Sequence, residues 1–144
     1  MKKIIGCIAI ISLSIGSCFS QDNPLPDFIS RNKDKSPGQF TTVTTNQLIY
    51  KPEDYDGKVV RVVGYLNLEF EGTALYTSKS DDDKHYYKNS IWLSISKKHR
   101  YELDRYCSKK YASVIGTFKQ GWNGHFGMFS GSIINIRRID LREQ

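Results

Sequence analysis

The chain has 144 residues, 39% hydrophobic and 25% charged, with a formal net charge of +6. That length suits one domain with a single hydrophobic core. Its mild positive charge is too small to argue for a nucleic-acid partner, and three cysteines are too few to build a disulfide framework.

Lys2 and Lys3 open the chain, and Ile4 to Ile15 is an apolar run interrupted only by Gly and Ser. The pattern predicts a secretory signal over residues 1–20. It is too short for a permanent bilayer helix, which needs about 20 apolar residues. Two cleavage positions fit. Ile15-Gly16-Ser17-Cys18 resembles a bacterial lipobox, in which Cys18 is lipidated and becomes the first mature residue. Cutting after Ser20 would leave Gln21 first instead. Loss of residues 1–20 leaves 124 residues and removes Lys2 and Lys3, so the net charge falls to +4, from 19 basic and 15 acidic residues. A lipidated Cys18 cannot pair, and Cys107 is expected to be a small buried apolar residue.

Residues 21–40 hold three of the chain's four prolines and predict a flexible tether. The remaining 41–144 predict the folded domain. Thr44 or Thr45 can cap a short helix carrying Leu48 and Ile49, which Pro52 ends. From Val59 to Phe70 one parity is apolar throughout: Val60, Val62, Leu66, Leu68 and Phe70, with Gly64 in the middle. That is a long first strand, bent at the glycine. Thr73 to Ser78 predicts a second strand, and Lys79 to Asn89 a charged connection. Ser90 to Ser96 predicts a third strand. In Lys97 to Lys110 the period changes, and Leu103, Tyr106 and Cys107 share one helical face. Tyr111 to Lys119 predicts a fourth strand and Phe126 to Leu141 a long last one.

This order predicts an all-β domain with one or two short helices. A long bent first strand and a helix between the third and fourth strands resemble the OB-fold, a five-stranded Greek-key barrel. The run Tyr55-Asp56-Gly57-Lys58-Val59-Val60-Arg61-Val62-Val63-Gly64 is similar to the opening strand of many bacterial OB-like envelope domains. Leu68-Glu69-Phe70-Glu71-Gly72, Ala74-Leu75-Tyr76, Ile91-Trp92-Leu93 and Gly131-Ser132-Ile133 are similar to stretches in small bacterial envelope proteins with an OB-fold-like domain. The resemblance spans residues 45–139. It implies a fold and carries no activity. An SH3-like barrel is the alternative, and the inter-strand helix argues against it.

Catalytic chemistry is thin in the sequence. His85, His99 and His125 are far apart, and no CxxC, HExxH or phosphate-binding glycine loop occurs. Asp81-Asp82-Asp83 lacks the alternating spacing of a calcium loop and reads as solvated. No catalytic set, metal site or cofactor is predicted. The remaining alternative, a hydrolase or metal-dependent enzyme, would have to use His125 with a carboxylate such as Glu69 or Glu71 across the barrel mouth.

Binding has better material. Ligands of OB-folds meet the face of strands two and three and the loops joining strands 1–2 and 4–5. Those loops are here Glu69–Thr73 and Gln120–Phe126. Trp122 and His125 then offer a stacking and hydrogen-bonding surface, which Tyr76 and Trp92 extend if they point outward. Tyr65 can stack and Arg61 can supply charge. The competing reading makes Gly121 and Asn123-Gly124 turn residues, with Phe126, Met128 and Phe129 plugging the barrel end. The resulting expectation is an exported, non-enzymatic binding module of the cell envelope that contacts a protein or small ligand, held to the membrane by lipid if Cys18 is modified. An inhibitor or immunity-type protein is the alternative. Export argues against a nucleic-acid partner. The basic stretch Lys97–Lys110 reads as a solvated helix face, or as a contact for anionic lipid headgroups.

Overall fold

A computed structural model describes residues 36–142. The expected signal segment, Cys18 and most of the tether lie outside the described residues. The elements are β1 (Thr41–Thr44), α1 (Thr45–Tyr50), β2 (Val59–Asn67), β3 (Ala74–Tyr76), α2 (Lys79–Asp83), β4 (Ser90–Leu93), α3 (Lys97–Cys107), β5 (Lys110–Lys119) and β6 (Ser132–Leu141).

Five strands close a barrel in the order β2-β3-β4-β6-β5, and β5 pairs back onto β2. The closing ladder is antiparallel and runs from Val59 opposite Thr117 to Leu66 opposite Lys110. The β4–β6 pairing is parallel, and the other barrel pairings are antiparallel. With α3 between the third and fourth barrel strands, this is the OB-like Greek-key barrel anticipated from the strand pattern.

β2 is shared by three neighbours. β1 runs parallel to its first half, Val60 to Val63, while β3 runs antiparallel to Tyr65–Asn67 on its second half. Gly64 stands at the changeover. A Cβ there would lie 2.5 Å from the Tyr76 carbonyl oxygen and 2.7 Å from Leu75 Cγ. The close approach admits only glycine, which accounts for the break in an otherwise apolar parity.

Alternation along the strands sorts the side chains into two sets. Val60, Val62, Leu66, Leu75, Ile91, Leu93, Val114, Phe118, Ile133 and Ile139 form the barrel core, joined by Leu48 of α1 and by Leu103 and Cys107 of α3. The opposite parity puts Tyr65, Ala74, Tyr76 and Trp92 on the outer face of β2, β3 and β4. There they make a second cluster with Phe129, Met128, Tyr87 and Tyr111.

Local chemistry sets the element ends. Thr44 and Gln47 form a reciprocal capping box at the start of α1. β2 stops at Asn67 and not at Phe70, because Asn67 Oδ1 accepts the Glu69 backbone N–H at 2.9 Å and turns the chain. The charged connection contains α2, capped by Ser78. Asp82 of that helix is buried: Asn67 Nδ2 donates to one of its oxygens at 2.7 Å and Lys109 Nζ to the other at 2.8 Å. β1 is an element the sequence reading lacked, since Val43 is its one buried residue. The last strand begins at Ser132, six residues later than expected, because the chain before it is folded as a loop.

Candidate functional site

Residues 120–131 join β5 to β6. The loop is anchored at its start, where the Gln120 N–H donates to Asp56 Oδ1 at 2.9 Å, and at its end, where Ser132 Oγ donates to the Trp122 carbonyl. Inside it, the Phe129 N–H donates to the Asn123 carbonyl at 3.2 Å. Gly124 has φ +63° and passes so close to Trp92 that a Cβ would sit 2.6 Å from the indole Cγ. Phe129 is fully buried, its ring 5.1 Å from that of Trp92 and 5.4 Å from that of Tyr87. This half of the loop is a plug on the outer face of the barrel.

The other half faces solvent. Trp122 is 63% exposed and Phe126 83%. The competing reading had Phe126, Met128 and Phe129 plug the barrel end; in the structure the plug is Phe129, and the Phe126 ring points outward. Its backbone has φ +52° and ψ +17°, the left-handed region that an aromatic residue rarely occupies. The His125 ring packs edge-on against the Phe126 ring, 4.0 Å between centroids.

His125 also ties this loop to the β2–β3 loop. Its Nε2 lies 3.6 Å from Glu71 Oε1, within ion-pair reach but beyond a hydrogen bond. That nitrogen is shielded and makes no hydrogen bond. Beside Glu71, Phe70 is 67% exposed. Arg100 from the first turn of α3 lies 4.8 Å above the Phe70 ring and donates from Nη1 to the Phe70 carbonyl at 2.9 Å. His99, the neighbouring helix residue, lines a cavity of about 400 Å³ together with Trp122, Ser94, Ser96, Asn135 and Ile136. Two loops and one helix end thus form an aromatic rim: Trp122, His125, Phe126, Phe70 and Arg100.

The remaining candidates fall elsewhere. Tyr76 is 0% exposed and Tyr65 5%, so neither offers a face for stacking. Both are covered because Phe129 and its neighbours fill the barrel face they were expected to present. Trp92 is half-buried between Gly124 and Phe129 and supports the rim from beneath. Arg61 lies on the outer face of β2 and donates from Nε to Ser113 Oγ at 2.9 Å, away from the rim. Phe70 and Arg100 are additions that the sequence did not single out. Phe70 was hidden in the apolar parity of the first strand.

Electrostatics below the rim are those of a structural strut. Burial raises the Glu69 carboxyl, but bonds from Lys109 and Asn67 outweigh it and hold the group below its ordinary value. Burial lowers the Lys109 ammonium, and the Asp82 and Glu69 carboxylates outweigh that in turn and raise it. Burial pushes the Tyr76 phenol far up, reinforced by Asp82 nearby. The Cys107 thiol is pushed up to about 11 by burial. No group of three or more His, Cys, Asp or Glu among the described residues is arranged to hold a metal ion. A second, shallower cavity of about 590 Å³ lies between the β3–β4 connection and the plug, lined by His85, Tyr86, Tyr87 and Met128 among others.

No protein-family model, curated protein or solved structure matches the chain.

Proposed function

We propose that the protein is an exported, non-enzymatic OB-like binding module of the bacterial cell envelope, which engages its partner through the β5–β6 loop. The observation that carries the reading is the exposure of Trp122, Phe126 and Phe70, at 63%, 83% and 67%, on two loops that His125 and Glu71 bring together. Clustered exposed apolar side chains mark interaction surfaces, and Trp is enriched among residues that dominate binding energy. The strained backbone at Phe126 supports the same reading, since such conformations cluster at ligand contacts. The export and lipid-anchor parts rest on Lys2, Lys3, the apolar run and Cys18.

A catalytic reading would draw on His125 beside Glu71. The buried thiol of Cys107, with its raised pKa, gives that reading no nucleophile. The test is affinity purification of the tagged protein from native envelopes, followed by mass spectrometry. One partner at near-equal amount, lost on Trp122→Ala, supports the module. Retention of the same proteins by wild type and variant would contradict a protein contact at this rim. The same spectra read the mature N-terminus as lipidated Cys18 or as Gln21.

A further inference from the structure

The rim has a basic neighbour. Residues 97–110 hold six Lys and Arg against Glu102 and Asp104, a net charge of +4. Residues 36–142 together hold 16 Lys and Arg against 11 Asp and Glu, a net charge of +5. Nearly all the positive excess of the described residues therefore sits on α3 and the three residues that follow it, Ser108 to Lys110. Its placement is not explained by helix stability. The first turn of α3 reads Lys97, Lys98, His99, Arg100 with no acidic residue, where the helix dipole disfavours cations.

Lys97, Lys98 and Arg105 are exposed, and so is Tyr101, at 74%. This face adjoins the rim directly, through Arg100 on Phe70 and through the cavity that His99 shares with Trp122. Of the carboxylates beside the rim, Glu69 pairs with Lys109 at 3.2 Å and Glu71 lies 3.6 Å from the His125 imidazole. What faces outward is a set of protruding aromatic rings flanked by Lys97, Lys98 and Arg105, which outnumber the one exposed carboxylate of α3, Asp104.

We propose that this rim and the exposed face of α3 rest on an anionic lipid bilayer. Trp122, Phe126, Phe70 and Tyr101 enter the headgroup region, and Lys97, Lys98 and Arg105 meet the lipid phosphates. Amphipathic aromatic rings favour the membrane–water interface, and basic side chains near an anionic leaflet are attracted to it. The charge argues for lipid: Arg100 lies over the exposed Phe70 ring and Lys97 and Lys98 precede it in the same helix turn, so an anionic bilayer meets rings and cations at once. The contact is peripheral, since no helix among the described residues is long and apolar enough to cross a membrane. The inference rests on the reading of the rim as a contact surface and names its partner.

The chain has two tryptophans, and Trp92 is half-buried, so Trp122 is a local reporter. The experiment mixes the full-length protein with phosphatidylglycerol–phosphatidylcholine vesicles whose acyl chains are plain or brominated, and records tryptophan emission. Quenching by the brominated lipid, abolished by Trp122→Phe, is the expected result. It reads where Trp122 lies, independently of how the N-terminus is held. Replacing Lys97 and Lys98 by Gln should weaken the quenching-detected partition about 10- to 30-fold at low salt. Pure phosphatidylcholine vesicles should be bound similarly weakly. Identical emission of wild type on plain and brominated anionic vesicles overturns the proposal, as does a Lys97/Lys98 double variant with undiminished partition. If the proposal is overturned while Trp122→Ala still strips a protein from envelope complexes, the rim remains a contact surface and the bilayer is not its partner.

Discussion

Gly124 and Trp92 are in van der Waals conflict with any larger side chain: a Cβ on Gly124 would lie 2.6 Å from two atoms of the indole ring. One residue of the glycine-rich loop is therefore keyed to one residue of β4, and the exposed Trp122 two positions earlier inherits its position from that fit. Gly124→Ala must both strain a φ of +63° and push the indole off Phe129. It should cost roughly 1–3 kcal/mol, the range of overpacking. The denaturant midpoint measures it, and a midpoint equal to wild type would show that the loop is not keyed in this way.

Phe126 behaves oppositely. Its ring is 83% exposed and its backbone is left-handed, so it gives the fold little and carries strain. Phe126→Asn, a residue that tolerates this conformation, should leave stability unchanged or raise it by up to about 1 kcal/mol. Partner or lipid contact should weaken in the same variant. A loss of stability larger than that would mean that the ring packs in solution.

The strut under the β2–β3 loop sets a pH window. Glu69 has its pKa lowered on folding, so its stabilising effect is present above the unfolded value of about 4.5 and fades as pH falls through the lower folded value. Lys109 has its pKa raised, so its contribution is full below about 10.5 and fades as pH rises through the higher folded value. Between these limits the two groups give no slope. Lys109→Met should remove the restoring partner of buried Asp82 and cost about 2–4 kcal/mol at pH 7. Thermal unfolding across pH 3–11 checks both statements.

Cys107 should be inert in the native protein. Its thiol is buried, with a pKa pushed up to about 11, so almost none is thiolate at pH 8. A thiol reagent should label it only after denaturation. Rapid labelling of native protein would mean that α3 opens readily from the barrel. The linkage sign is that of a raised pKa: this group favours the fold below an unfolded value of about 9 and ceases to as pH climbs through 11.

The barrel was legible where side chains alternate. Val60, Val62 and Leu66, then Val114 and Phe118, announce one buried face each, and the change of period at Leu103 and Cys107 announces the helix between them. Two things were not legible. Thr41–Thr44 has no apolar stripe and becomes β1 only because β2 offers it an open edge. The division of labour in the glycine-rich loop was also hidden. Phe126 and Phe129 are the same residue type three positions apart, and only the backbone turn at Phe126 decides which ring goes inward. The same plug buried Tyr76 and Tyr65, which the sequence had offered as part of a stacking surface.

The parallel seat of β1 beside β2 has a consequence for handling this protein. Thr41 to Thr44 cover the backbone of Val60 to Val63, the half of β2 that β3 does not reach. Trimming the N-terminus as far as Gln39 keeps that cover. Trimming four residues into β1 would bare a row of unpaired amide groups beside Val63, which is already 36% exposed, and invite a second copy to dock strand against strand. The safe boundary for a shortened or fused version is thus ahead of Phe40, and a shorter fragment should precipitate even though its barrel core is intact.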